Sequence, residues 1–143
     1  MKENEVAKRV VNKMMDSDKF SRWLGIQTVL VEQGHCILKM KLREEMLNAF
    51  GIAHGGICFS FADTALAYAS NSYGKISVTM ECSISFPVAL NGVDELTCEA
   101  KEFSLTNKTG TYLIKIKNQK KQNVAFFKGT VYRTSKEWFH EKK

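Results

Sequence analysis

Apolar and polar positions along the chain follow two periods, and the change from one to the other marks the elements. Near the start, Val6, Val10 and Met14, with Val11 and Met15, recur four residues apart among charges. That spacing predicts a short amphipathic helix over about 3–16, stopped by Asp16-Ser17-Asp18. Phe20 and Trp23 then give an apolar bridge into the fold. Residues 24–43 read as two strands around Gln33-Gly34. In the second, Cys36, Leu38, Met40 and Leu42 alternate with His35, Ile37, Lys39 and Lys41, the period of a sheet with one covered face. Residues 44–53 form a polar loop. From Gly55 to about Ser72, Ile57, Phe59, Phe61, Ala62, Ala65, Leu66, Ala67 and Ala69 cover most of a helix circumference. A helix apolar nearly all round is buried. At 1.5 Å per residue it is roughly 27 Å long, and Gly74 suits its C-terminal cap.

Strands follow. Val78, Met80, Cys82, Ile84 and Phe86 alternate with Ser77, Thr79, Glu81, Ser83 and Ser85, and Pro87 ends the run. Residues 94–104 form another strand, and 109–118 and 123–134 a hairpin. The tail from Ser135 is polar and expected to fray. One long helix against a mostly antiparallel sheet is an α+β arrangement. The expectation is a single domain over 1–143, with its core at about 20–134.

Composition narrows the class. With 143 residues, 44% apolar and 25% charged, the chain is long enough for one core. The formal charge is +6, but Lys and Arg are spread out rather than blocked together. This can attract an anionic substrate and does not call for nucleic acid. No apolar leader follows Met1, so the expected compartment is the cytoplasm. Asp63 and the glycines argue against a membrane span. Cys36, Cys58, Cys82 and Cys98 contain no Cys-x-x-Cys and read as buried free thiols. His35, His54 and His140 show no metal spacing. Gly-x-Ser-x-Gly, Gly-x-Gly-x-x-Gly and P-loop motifs are all missing.

The chemistry concentrates in one place. Asp63 is the only formal charge between Glu45 and Lys75, counting His54 as neutral. A lone carboxylate in so apolar a segment is costly to bury without compensation. It reads either as a working acid or as an Asp at a bend or exposed notch of a core helix. Asn48, His54, Gly55 and Gly56 precede it. Cys58, four residues after His54, would suit a Cys–His pair, though a buried thiol is the simpler account.

Asn48, His54-Gly55-Gly56, Phe59-Ser60-Phe61-Ala62-Asp63 and Ala67-Tyr68-Ala69-Ser70-Asn71-Ser72 closely resemble the hotdog-fold thioesterases of the phenylacetate-pathway (PaaI-like) type. The resemblance continues through Cys82-Ser83-Ile84-Ser85-Phe86, Thr109-Gly110-Thr111-Tyr112 and Ala125-Phe126-Phe127-Lys128-Gly129. Asp63 lies eight residues after Gly55 and fifteen after Asn48, a far more specific pattern than a bare His-Gly-Gly.

The resemblance implies a curved antiparallel sheet wrapped around one central helix, and an acyl-CoA thioesterase. It implies a homodimer with the active site at its interface, Gly55 of one subunit facing Asp63 of the other, and assembly into a homotetramer. Coenzyme A would be part of the substrate, with no separate cofactor or metal. Asp63 would act as general base on water or as nucleophile. A backbone N–H of Gly55 or Gly56 would polarise the carbonyl at a helix N-terminus. Asn48 would orient the carboxylate or water. Thr79 would support the same water or simply face solvent. His54 would bind substrate or, the favoured alternative, hold the Asn48 loop to the helix. Lys108, with Lys128, is a candidate for the CoA phosphates. Glu81 is a second acid on the polar strand face, more simply a solvated one.

The loop Pro87 to Asp94 departs from the family pattern, so no nucleotide contact is carried onto it. Phe50, Phe59, Tyr68 and the N-terminal helix would suit an aromatic or a fatty acyl group alike. The alternatives are a non-catalytic hotdog module that binds acyl-CoA, and a dehydratase acting on acyl carrier protein.

Overall fold

A computed structural model describes residues 2–140. The elements are α1 (Glu3–Ser17), α2 (Lys19–Leu24), β1 (Gln27–Glu32), β2 (His35–Lys41), a short 3-10 turn (Glu44–Met46), α3 (Gly55–Asn71), β3 (Lys75–Ser85), β4 (Glu95–Leu105), β5 (Thr109–Lys117) and β6 (Asn123–Glu137). The strands form one six-stranded antiparallel sheet in the order β1-β2-β4-β5-β6-β3. Helix α3 packs against every strand of it, and α1 lies on β1 and α3. This is the hotdog arrangement: an α+β fold in which the sheet closes around one helix.

The core follows from the two periods. On α3, Cys58, Phe61, Ala62, Ala65, Leu66, Tyr68 and Ala69 are buried. They meet the inward positions of the sheet, among them Leu38, Met40, Leu96, Cys98, Ala100, Tyr112, Ile114, Ile116 and Val131. Gly129 sets the approach of helix to sheet. A Cβ there would lie 2.5 Å from Leu66 Cδ2, so any other residue would force the buried Leu66 side chain to move.

Three expectations are corrected. The apolar bridge at Phe20 and Trp23 is a helix, α2, N-capped by the Asp18 carboxylate accepting from Ser21 N–H at 3.0 Å. Helix α3 is capped at Ser72 rather than at Gly74, which sits beyond it at φ 91°, where the chain reverses into β3. The tail does not fray at Ser135. Strand β6 runs to Glu137, and Trp138 Nε1 then donates to Asn71 Oδ1 at 2.9 Å. Lys13 Nζ donates to Trp138 O, and the Arg9 guanidinium lies 4.2 Å above the Phe139 ring. These contacts fasten the end of β6 to α1. Residues 141–143 of the expected tail lie outside the described residues.

Candidate active site

Asp63 projects from the middle of α3 and is half-buried. Burial holds its pKa above the ordinary carboxylate value, and a hydrogen bond from Thr79 partly offsets the rise. Thr79 Oγ1 donates to Asp63 Oδ1 at 3.5 Å, at the long limit for such a bond.

Simple alternation misplaces Thr79. It predicts Thr79 with the polar positions and Val78 and Met80 with the covered ones. In the structure Thr79 pairs with Val131, whose side chain is buried, while Glu81 pairs with Thr130. Met80 is therefore an extra residue, a β-bulge, and each strand position after it changes face. Val78 and Met80 point away from the core, 50% and 61% exposed. Thr79 turns to the helix, and so, beyond the bulge, do Cys82 and Ile84. Glu81 faces outward with Thr130, away from Asp63.

The other half of the predicted site gathers at the start of α3. His54 is the N-cap: its Nδ1 accepts the Gly56 N–H at 2.9 Å, and its carbonyl accepts the Ile57 N–H at 2.9 Å. Because Nδ1 accepts, the proton of a neutral ring sits on Nε2. His54 N–H in turn donates to Met46 O at 2.8 Å, tying the polar loop to the helix. That tie is made by the backbone; the bond of the imidazole is the one to Gly56 N–H. Gly56 has given its N–H to His54. The Gly55 N–H makes no hydrogen bond among the described residues, which leaves it as the donor open to a ligand. The Phe86 ring stands over Gly55; a Cβ there would meet Phe86 Cζ at 3.3 Å.

Asn48 shapes the loop it sits in. Its Oδ1 accepts from Phe50 N–H at 2.9 Å and from Ile52 N–H at 3.4 Å, an Asx-type bracket. Its Nδ2 has no acceptor among the described residues and remains able to donate. Sequence reasoning missed what supports this loop. The departing segment at 88–94 packs beneath it: Ala53 N–H donates to Leu90 O at 3.0 Å, and Ile52 pairs with Asn91. Asp94 folds that segment by accepting from Asn91 N–H at 3.0 Å and Gln119 Nε2 at 2.9 Å.

The remaining candidates separate from the site. Cys58 is buried, its thiol pushed up to about 12 by desolvation, and it does not pair with His54. Lys108 lies in the exposed β4–β5 turn, where its carbonyl accepts Arg133 N–H. Lys128 pairs with Ser83 and is exposed between the inward Phe127 and Gly129, so it lies on the face away from α3. Phe50 is 88% exposed. Phe59 meets Phe127 edge-on at 5.2 Å. Tyr68 is in the core rather than in a pocket wall.

Gly55 and Asp63 are eight residues apart on one helix, which separates them by about 12 Å along its axis. The candidate polar groups therefore fall in two sets, an amide set of Asn48, His54 and Gly55 at the start of α3 and a carboxylate set of Asp63 and Thr79 at its middle.

The sheet closed on one helix gives the hotdog fold, and the relatives of the chain put it in the class of hotdog thioester hydrolases. Residues 50–125 match the family model described as the thioesterase superfamily, and the chain belongs to that family. The acyl-coenzyme A thioesterase PaaI of Escherichia coli is 38% identical over 84% of this chain and 86% of its own. The solved E. coli PaaI protein, from the phenylacetic acid degradation operon, superposes with a TM-score of 0.93 at 34% identity, covering 95% of this chain and 99% of that one. A hypothetical thioesterase protein from Streptococcus pneumoniae, solved with coenzyme A, superposes with a TM-score of 0.82 at 26% identity, over 87% and 98% of the two chains.

Proposed function

We propose that the protein hydrolyses an acyl-CoA thioester to the free acid and CoA at a site completed by two subunits. The observation that carries this is the roughly 12 Å between the open Gly55 amide and the Asp63 carboxylate on one helix. Both groups can address the same carbonyl only if they come from different copies. Strand β3 supports the pairing: it bonds β6 on one side and, among the described residues, leaves its other edge unpaired over 11 residues. Such an edge is a template for a second strand. Phe103, Leu113 and Phe126 are exposed on the outer sheet face, apolar surface that suits two dimers joining as a tetramer.

In this reading Gly55 N–H of one subunit donates to the thioester oxygen, aided by the positive end of α3, and stabilises the oxyanion as it forms. Asn48 Nδ2 orients the reacting group beside it. Asp63 of the other subunit takes a proton from the attacking water, or itself adds to the carbonyl carbon and forms a mixed anhydride that water then opens. In the first route the C–S bond breaks and the proton held by Asp63 passes to the departing sulfur, so CoA leaves as the thiol; in the second CoA leaves as the thiolate, takes its proton from solvent, and opening of the anhydride by water returns Asp63 as the carboxylate. Desolvation suits Asp63 to both tasks, because it makes the carboxylate more basic. The match to a structure holding coenzyme A supports CoA as the thiol portion. Lys108 remains the proposed phosphate contact, reached from the partner across the seam. The four free cysteines fit a reducing compartment such as the cytoplasm.

A panel of aryl- and straight-chain acyl-CoA substrates, followed by thiol release, tests the reading. Asp63→Asn should lower turnover by about a thousandfold, the range of a lost general base, in an oligomer that still folds. Mixing Asp63→Asn with Asn48→Ala subunits should restore about a quarter of wild-type activity, since half of randomly formed dimers carry one intact site of two. Full activity of Asp63→Asn, or no restoration on mixing, would overturn the site as drawn.

A further inference from the structure

The turn that carries Lys108 is held both from within and from β6. Within Thr106-Asn107-Lys108-Thr109, Thr106 N–H donates to Thr109 O at 2.8 Å, and Thr109 N–H donates to Thr106 Oγ1 at 2.9 Å. The two threonine hydroxyls meet at 2.8 Å. On β6, Arg133 grips the turn at two points. Its backbone N–H donates to Lys108 O at 2.7 Å, and its Nη1 donates to Thr106 O at 2.7 Å. The guanidinium carbon lies 5.4 Å from the centre of the Tyr73 ring, and Tyr73 Oη donates to Glu102 Oε1 at 2.6 Å. Burial pushes the Tyr73 phenol up to about 12, so it keeps the proton for that bond. Arg133 is thus backed by a residue just past α3, which is itself tied to β4, while Asn107 and Lys108 at the tip of the turn are exposed.

A lysine is a point charge on a flexible stem, so the places its ammonium can reach depend on where its backbone is held. Ordering a loose loop on binding weakens affinity, and a loop ordered beforehand avoids that loss. We propose that Arg133 is a positioning residue for the nucleotide portion of CoA: by tying Thr106 and Lys108 to β6, it fixes the β4–β5 turn so that the Lys108 ammonium meets a phosphate. The inference rests on the reading that acyl-CoA is the substrate and Lys108 its phosphate contact. Arg133 acts through the lysine and does not itself meet the phosphate.

The test compares two thioesters of one acyl group, the CoA ester and the pantetheine ester, which lacks the nucleotide. Damage to the fold or to the Asp63 chemistry acts on both and cancels in the ratio of their kcat/KM values. Arg133→Gln should lower that ratio about fivefold, through KM of the CoA ester rather than kcat. Arg133→Lys, with a cation still able to donate to Thr106 O, should recover most of the loss. Lys108→Ala should lower the ratio about tenfold. Adding Arg133→Gln to it should change nothing further, because positioning works only through the lysine. Calorimetric titration with free CoA should rank the variants in the same order without any turnover. An unchanged ratio in Arg133→Gln overturns the positioning role even where the wild type binds and hydrolyses acyl-CoA. So does an effect that adds in full to that of Lys108→Ala, which would make Arg133 a phosphate contact of its own. A wild type that neither binds CoA nor prefers the CoA ester overturns the nucleotide contact and this inference with it, and leaves the Asp63 chemistry to be judged on the pantetheine ester.

Discussion

The two ends of α3 are treated in opposite ways. At the carboxyl end the polar side chains are buried and bonded. Asn71 Nδ2 donates to Ala67 O and Ser77 O, and its Oδ1 accepts from Ser77 N–H and Trp138 Nε1. Ser72 Oγ donates to Ala69 O and accepts from Gly34 N–H. At the amino end the cap is a single imidazole, Gly56 is exposed, and the Gly55 N–H and Asn48 Nδ2 are left without partners among the described residues. A helix end that the fold needs for stability is closed by its own chain. Any helix leaves donors open at its amino end, and in the proposed reaction these are the ones that meet the thioester. On that reading the same α3 serves as a strut at one end and as a binding element at the other.

Substitutions can break that contrast at either end. The largest effect belongs to Asn71→Ala, which strands the buried Ser77 N–H and takes the acceptor from the partly buried Trp138 Nε1. It should cost about 3–4 kcal/mol in chemical denaturation while leaving KM near wild type; a loss confined to activity would mean the two ends are not divided as described. At the other end, Asn48→Ala should lower kcat on the order of a hundredfold through lost positioning, with a smaller loss of stability from the missing loop bracket. An unchanged rate would remove Asn48 from the site.

The smallest effect falls on the middle of the helix and is a pH shift. Burial raises the Asp63 pKa in the folded state, so the fold binds a proton that the unfolded chain has released between the ordinary carboxylate value and the raised one. Stability from this group is therefore present below the unfolded pKa and lost as pH rises through the folded one. Activity runs the opposite way, because only the ionised form is a base. Thr79→Val removes the hydrogen bond that lowers this pKa, so the acid limb of kcat/KM should move to higher pH. A limb that stays in place would show that Thr79 does not act on the carboxylate.

Much of this was legible in the sequence because the two periods are clean. The all-round apolar pattern from Gly55 defined α3 to within a residue or two. Alternation defined β2, and the lone charge at Asp63 marked the half-buried carboxylate of the candidate site. What was not legible depends on local backbone geometry or on contacts between distant segments, neither of which a hydrophobic period displays. The bulge at Met80 leaves the letters alternating while the faces exchange, so Thr79 read as possibly solvent-facing. Trp138 looked like part of a charged tail because its partner, Asn71, is on another element. The capture of Gly56 N–H by His54 depends on the cap's dihedral angles, which a His-Gly-Gly string does not display.

The fastening of Trp138 into Asn71, with Lys13 and Phe139 beside it, has a consequence for motion. It joins the first helix, the far end of α3 and the last strand, so amide exchange at the end of β6 should be slower than a free chain end would allow, and Trp138→Ala should release it.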